Sequence, residues 1–151
     1  MELNRFETFV ITVSELNRQL NRIKNREMQR FGLRAAHVMP LYYLGMNPRG
    51  LTCAELTALC REDKAAISRT LAQLSEKELV SRDVPEDKRA YRSRYHLTDA
   101  GRRLVDEINS CIERALFSGG NGLDDKKRAD FDDSLAIILN NLSSYLEEKD
   151  L

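Results

Sequence analysis

The sequence predicts a mainly α-helical chain in which long amphipathic helices at both ends enclose a block of short helices and one β-hairpin. Three features of the 151 residues carry this reading. Apolar residues recur at helical spacing near both ends. Two helix-start signals follow one another closely in the middle of the chain. Directly after them the apolar period changes from helical to alternating, across a turn rich in charge and opened by a proline.

The first segment, Asn4 to about Met28, places Phe6, Phe9, Val10, Val13, Leu16, Leu20 and Ile23 on one stripe, with Asn, Arg, Gln and Lys opposite. Such an edge must find a partner. Gly32 interrupts the pattern, and a second apolar block runs from Ala35 to Met46 before the turn Asn47-Pro48-Arg49-Gly50. Pro40 has no backbone N–H and is tolerated only in a first turn or at a kink, so this helix starts late or bends there.

Thr52 and Glu55 then have the spacing of a capping box, with Leu51 as a hydrophobic staple. The short helix they start is expected to carry Leu56 and Leu59 inward and to end near Cys60 to Arg61. Asp63 is a good N-cap for a third helix, Lys64 to about Lys77, with Ile67, Leu71 and Leu74 facing the core. Two short capped helices joined by a tight turn form a helix-turn-helix. The outward face of its second helix is Lys64, Ala65, Ser68, Arg69, Ala72 and Gln73.

Leu79 to Val84, a turn from Pro85 to Ala90, and Tyr91 to Leu97 read as the hairpin. Tyr91, Ser93, Tyr95 and Leu97 share one face; Arg92, Arg94 and His96 share the other. A hairpin after a helix-turn-helix is a wing, so the fold class is a winged helix-turn-helix set between long terminal helices. Thr98 caps the next helix, Asp99 to about Phe117, striped by Leu104, Val105, Ile108, Ile112, Ala115 and Leu116. After the break Ser118-Gly119-Gly120-Asn121-Gly122, Asp124 caps a last helix with Phe131, Leu135, Ile138, Leu139, Leu142 and Leu146 along one edge.

Net charge is zero, with 24 basic and 24 acidic side chains, which taken alone disfavours a nucleic-acid partner. The distribution reverses that inference. Lys88 to Arg103 holds six basic residues against one acidic, a net +5, whereas Asp124 to Leu151 holds eight acidic against four basic, a net −4. A local positive edge on a neutral protein is what phosphate contact requires. Three cysteines, Cys53, Cys60 and Cys111, fit neither a disulfide framework nor a zinc pattern. The apolar runs are far too short for a membrane span and the N-terminus has no signal-peptide character, so a soluble, cytoplasmic protein is expected. Two histidines on different elements, His37 and His96, without triad or ligand spacing, and no phosphate-cradling glycine loop, argue against an enzyme.

The local motifs resemble the MarR family of winged-helix transcription regulators over nearly the whole chain. The resemblance rests on Leu51 to Glu55, Ile67-Ser68-Arg69, Leu79-Val80-Ser81-Arg82, Asp87-Lys88-Arg89 and Leu97-Thr98-Asp99-Ala100-Gly101. One departure is Glu78, where that family usually has Gly. The resemblance implies a ligand-responsive repressor that binds double-stranded DNA as a homodimer. Residues 31–103 would form the DNA-binding region, and 1–30 with 104–151 the helical dimerisation region. A winged domain of this size cannot cover three long apolar edges alone. Paired recognition helices about 34 Å apart would read a pseudo-palindromic operator.

In the recognition helix, Arg69 suits guanine, Gln73 adenine, and Ser68 a base or phosphate, while Ala65 permits close approach and Lys64 meets a phosphate. On the wing the resemblance implies that Arg89 enters the minor groove, oriented by Asp87 and accompanied by Lys88, with Arg92 and Arg94 along the DNA backbone. A small aromatic or lipophilic effector would lie in a cleft for which Phe9, Val13, His37, Leu41, Tyr42 and Met46 are candidates, all of which fit a plain core equally well. No cofactor and no metal are implied.

Overall fold

The expected helices form in the expected order in the computed structural model, which describes residues 2–87 and 92–149. Helix α1 spans Glu2–Gln29. Its predicted stripe is uncovered within a single chain: Phe6, Phe9, Val10, Val13, Leu16 and Leu20 are 40% to 65% exposed. Met28, near its C-terminal end, is buried. A 3₁₀ turn, Ala35–His37, precedes α2, Val38–Met46. Pro40 therefore lies in the first turn of α2, where its missing N–H has no intrahelical acceptor to lose. The helix starts late.

Strand β1, Leu51–Thr52, leads into helix α3, Cys53–Cys60. The capping box is made in full. Glu55 N donates to Thr52 Oγ1 at 3.1 Å and Thr52 N donates to Glu55 Oε2 at 2.8 Å. Leu56 is fully buried, but Leu59, expected inward, is 41% exposed. Three residues along a helix turn the side chain about 300°, so Leu59 sits about 60° off the line through Leu56. An α3 of only eight residues buries little more than that line. Arg61 ends α3 in a left-handed conformation with φ 53°.

Asp63 Oδ1 then accepts from Ala66 N at 2.8 Å and starts helix α4, Lys64–Glu76. Ile67, Leu71 and Leu74 are buried beneath it. Strands β2, Val80–Asp83, and β3, Arg94–Leu97, form the hairpin. The antiparallel register pairs Val80 with Leu97 and Asp83 with Arg94. β3 is the central strand, because β1 pairs on its other side, Leu51 opposite Tyr95. That third strand was not expected, since two residues show no alternation.

Helix α5, Asp99–Gly119, is capped by Thr98, whose Oγ1 accepts from Gly101 N at 3.0 Å. Leu104, Val105 and Ile108 are buried. Helix α6, Asp125–Lys149, is capped by Asp124, whose Oδ1 accepts from Lys127 N at 2.8 Å. The chain divides into two compact units, Met1–Cys111 and Ile112–Leu151. In the second, Arg128 Nη2 donates to Gly120 O at 2.8 Å and its Nε to Leu123 O at 3.2 Å, bracing the turn before α6. The apolar edge of α6, from Phe131 to Leu146, is exposed in the single chain.

Candidate nucleic-acid interface

The α4 face is set by helical geometry. With Ile67, Leu71 and Leu74 committed to the core, Lys64, Ala65, Ser68, Arg69 and Gln73 are turned to solvent. Among the described residues, Lys64, Ser68 and Arg69 have no hydrogen-bonded or ion-paired partner. Their donors are available to a ligand, and those of Arg69 form the planar fork that suits a bidentate acceptor.

Gln73 is different. Its Oε1 lies 2.8 Å from His37 Nε2, while His37 Nδ1 accepts from Arg34 N at 3.0 Å. His37 is only 4% exposed, so the turn before α2 holds the outward amide of α4 through a buried ring. Nothing in the spacing of the sequence connects these two residues, which are 36 positions apart.

On the wing, Arg94 is already engaged. Its Nη1 donates to Gly50 O at 2.9 Å and lies 3.3 Å from Glu55 Oε2, the same oxygen that completes the capping box. Arg94 thus ties β3 to the turn before β1 and to the start of α3. Sequence reasoning missed this role because it depends on β1 pairing beside β3. His96 Nε2 lies 2.8 Å from Asp83 Oδ2 across the hairpin, and its ring leaves no room for a side chain at Gly50, where a Cβ would come within 2.5 Å of it. Asp87 Oδ2 is 3.5 Å from Arg92 Nη1. Lys88 and Arg89, expected at the wing tip, lie outside the described residues, as does Tyr91.

The six cleft candidates separate. Leu41 and His37 are core residues, and Phe9 and Val13 are exposed on α1. Tyr42 and Met46 line a cavity of about 250 Å³ between α2, β3 and α5, together with Arg102, Asp106 and Asn109. Among the described residues, Asn109 Oδ1 is buried without a hydrogen-bond partner.

All three cysteines are free. Burial, with Glu62 nearby, pushes the Cys60 thiol from its ordinary 9.0 up to about 11. Arg30 Nη2 donates to the buried Cys111 Sγ at 3.0 Å. Among the described residues no cluster of His, Cys, Asp or Glu could hold a metal ion, and no helix is long and apolar enough to cross a membrane.

The MarR family model matches residues 31–90, from the turn before α2 through the helix-turn-helix and into the wing. Among solved structures, a transcriptional regulator of the MarR family from Silicibacter pomeroyi is 25% identical over 86% of each chain, with a TM-score of 0.73. Over residues 31–90 the chain is similar to the MarR family. MepR from S. aureus, solved as a complex with DNA, shares the fold at 20% identity and a TM-score of 0.81, over 89% of this chain and 97% of that one. CouR from Rhodococcus jostii, bound to p-coumaroyl-CoA, does so at 22% identity and 0.76, over 86% and 90%. A comparison with curated proteins gives no match. The winged helix-turn-helix read from the motifs is therefore the MarR fold, and its order of elements is the one those motifs implied.

Proposed function

We propose that this chain is a transcription regulator of the MarR family that binds a pseudo-palindromic operator as a homodimer, with α4 of each protomer in the major groove. The observation that carries the reading is the outward face of α4, where Lys64, Ser68 and Arg69 present free donors on a helix whose other side is fixed in the core. Arg69 reads guanine O6 and N7, Lys64 and Ser68 meet phosphate or a base edge, and Ala65 lets the backbones approach. Asp87, Lys88, Arg89 and Arg92 follow the duplex from the wing. Arg94 holds the wing to the helix-turn-helix and reaches the DNA only with whatever donors remain.

Dimerisation is supported by apolar area. The apolar stripes on α1 and α6 are exposed in a single chain, and a second copy offers matching edges. Residues 1–30 and 104–151 form that dimerisation region and 31–103 the reading head.

The cavity bounded by Tyr42, Met46, Arg102 and Asn109 suits a small aromatic or lipophilic effector with one polar group, which would satisfy Asn109 Oδ1. Binding there shifts the spacing of the two heads and releases the operator, which makes the protein a ligand-responsive repressor. It acts in the cytoplasm and performs no catalytic step. CouR, a relative in fold, is itself held with an acyl-CoA ligand.

The test is selection of DNA from a random pool followed by a gel shift against scrambled sequence of equal length. The reading expects a preference of at least about 10³. Equal affinity for both sequences refutes it.

A further inference from the structure

His37 belongs to neither the α4 face nor the cavity, yet it is the buried group that touches an outward side chain of the recognition helix. Its hydrogen bonds fix its tautomer. Arg34 N is a backbone donor, so the Nδ1 it meets at 3.0 Å must be the bare nitrogen, and the ring proton sits on Nε2. Nε2–H then donates to Gln73 Oε1 at 2.8 Å. The opposite amide orientation would set the two N–H groups of Gln73 against a third N–H, so only one orientation is satisfied.

We infer that His37 is a positioning residue that pins the Gln73 amide with its oxygen toward the protein and its NH₂ toward the DNA, so that Gln73 reads guanine rather than adenine. The inference rests on the placement of α4 in the major groove proposed above. A free glutamine recognises adenine bidentately, its oxygen accepting from N6–H and its nitrogen donating to N7. An amide whose oxygen is held by a buried ring offers donors alone. Guanine presents two adjacent acceptors, O6 and N7, whereas adenine presents one beside a competing donor.

The experiment uses the full chain and an operator selected from random DNA, in which each base pair of the half-site is replaced in turn at fixed salt. Affinities are measured for wild type, Gln73→Ala and His37→Leu. Wild type is expected to prefer guanine over adenine roughly tenfold at the one pair per half-site where Gln73→Ala flattens discrimination. His37→Leu is expected to erase or reverse that preference while leaving discrimination at the Arg69 pair intact. Because a substitution at a buried position risks unfolding, two measurements on unaltered residues accompany it. Long-range ¹H–¹⁵N spectra of the wild type should show Nε2 protonated and Nδ1 bare. Replacing the guanine by 7-deazaguanine should weaken wild type several-fold and Gln73→Ala not at all.

A wild-type preference for adenine at that pair, a protonated Nδ1, or a folded His37→Leu variant that keeps the wild-type preference for guanine there overturns the inference. Each of these leaves sequence-specific binding standing. Loss of base preference at every position in the wild type instead overturns the regulator reading, and this inference with it.

Discussion

Glu78→Gly should make this protein more stable. Glu78 follows the last turn of α4 with φ 57°, in the left-handed region where a Cβ crowds the following carbonyl. The helix ends there in a Schellman arrangement, with Leu79 N donating to Leu74 O at 3.0 Å and Glu78 N to Ser75 O at 3.0 Å. The Glu78 side chain is exposed and its carbonyl, which accepts from Thr98 Oγ1 at 2.7 Å, survives the substitution. Relief of the left-handed conformation is worth about 1–2 kcal/mol. The greater freedom of glycine in the unfolded chain offsets about 0.4–1 kcal/mol of that. The net gain is about 0.5–1 kcal/mol, or roughly 1–4 °C in melting temperature for a chain of this size. The assay is thermal and urea denaturation at one fixed protein concentration, since a dimer's midpoint depends on concentration. Glu78→Ala is the control, because it keeps the Cβ and should gain at most a few tenths of a kcal/mol from removing a negative charge at a helix C-terminus. If alanine stabilises as much as glycine, or glycine not at all, the backbone argument fails.

Further outcomes follow from the packing and the interface. Gly101→Ala would drive a Cβ into the Leu79 carbonyl oxygen where α5 starts, and should cost about 1–3 kcal/mol in the same denaturation assay. Arg69→Ala should cost about 1–3 kcal/mol at particular base pairs, whereas Arg92→Ala should weaken binding to all sequences and lower the salt slope by about one; titrations on the selected operator at several salt concentrations separate the two. Cys60, with its thiol raised to about 11, should alkylate at pH 8 at least about tenfold more slowly than the same cysteine in the unfolded chain, measured in a variant retaining that thiol alone. Because folding favours its uncharged form, its contribution to stability should be fully present below pH 9 and fade as pH rises toward 11.

Most of the fold could be read from local signals, and the reasons are specific. Thr52, Asp63, Thr98 and Asp124 each cap the helix that follows them, and a cap is a short-range interaction written within four residues. The helix-turn-helix face could be read because Ile67, Leu71 and Leu74 fix the rotation of α4. What escaped depends on pairing across the chain. β1 exists only because β3 lies beside it, and Arg94 reaches Gly50 and Glu55 only through that pairing. His37 carries no periodic mark that distinguishes a core histidine from one joined to Gln73. Leu59 failed because an apolar residue on a short helix can sit at the edge of its buried line. Glu78 was visible as an odd residue at a glycine position, but its positive φ needed the structure.

In the proposed dimer, two copies of this chain hold their α4 helices at a separation matched to the duplex. Protection mapping on selected fragments reads that separation out. A two-fold symmetric footprint is expected, with half-sites centred about 10–10.5 base pairs apart and five base pairs inserted between them abolishing tight binding. A single asymmetric protected patch, indifferent to that insertion, would contradict it.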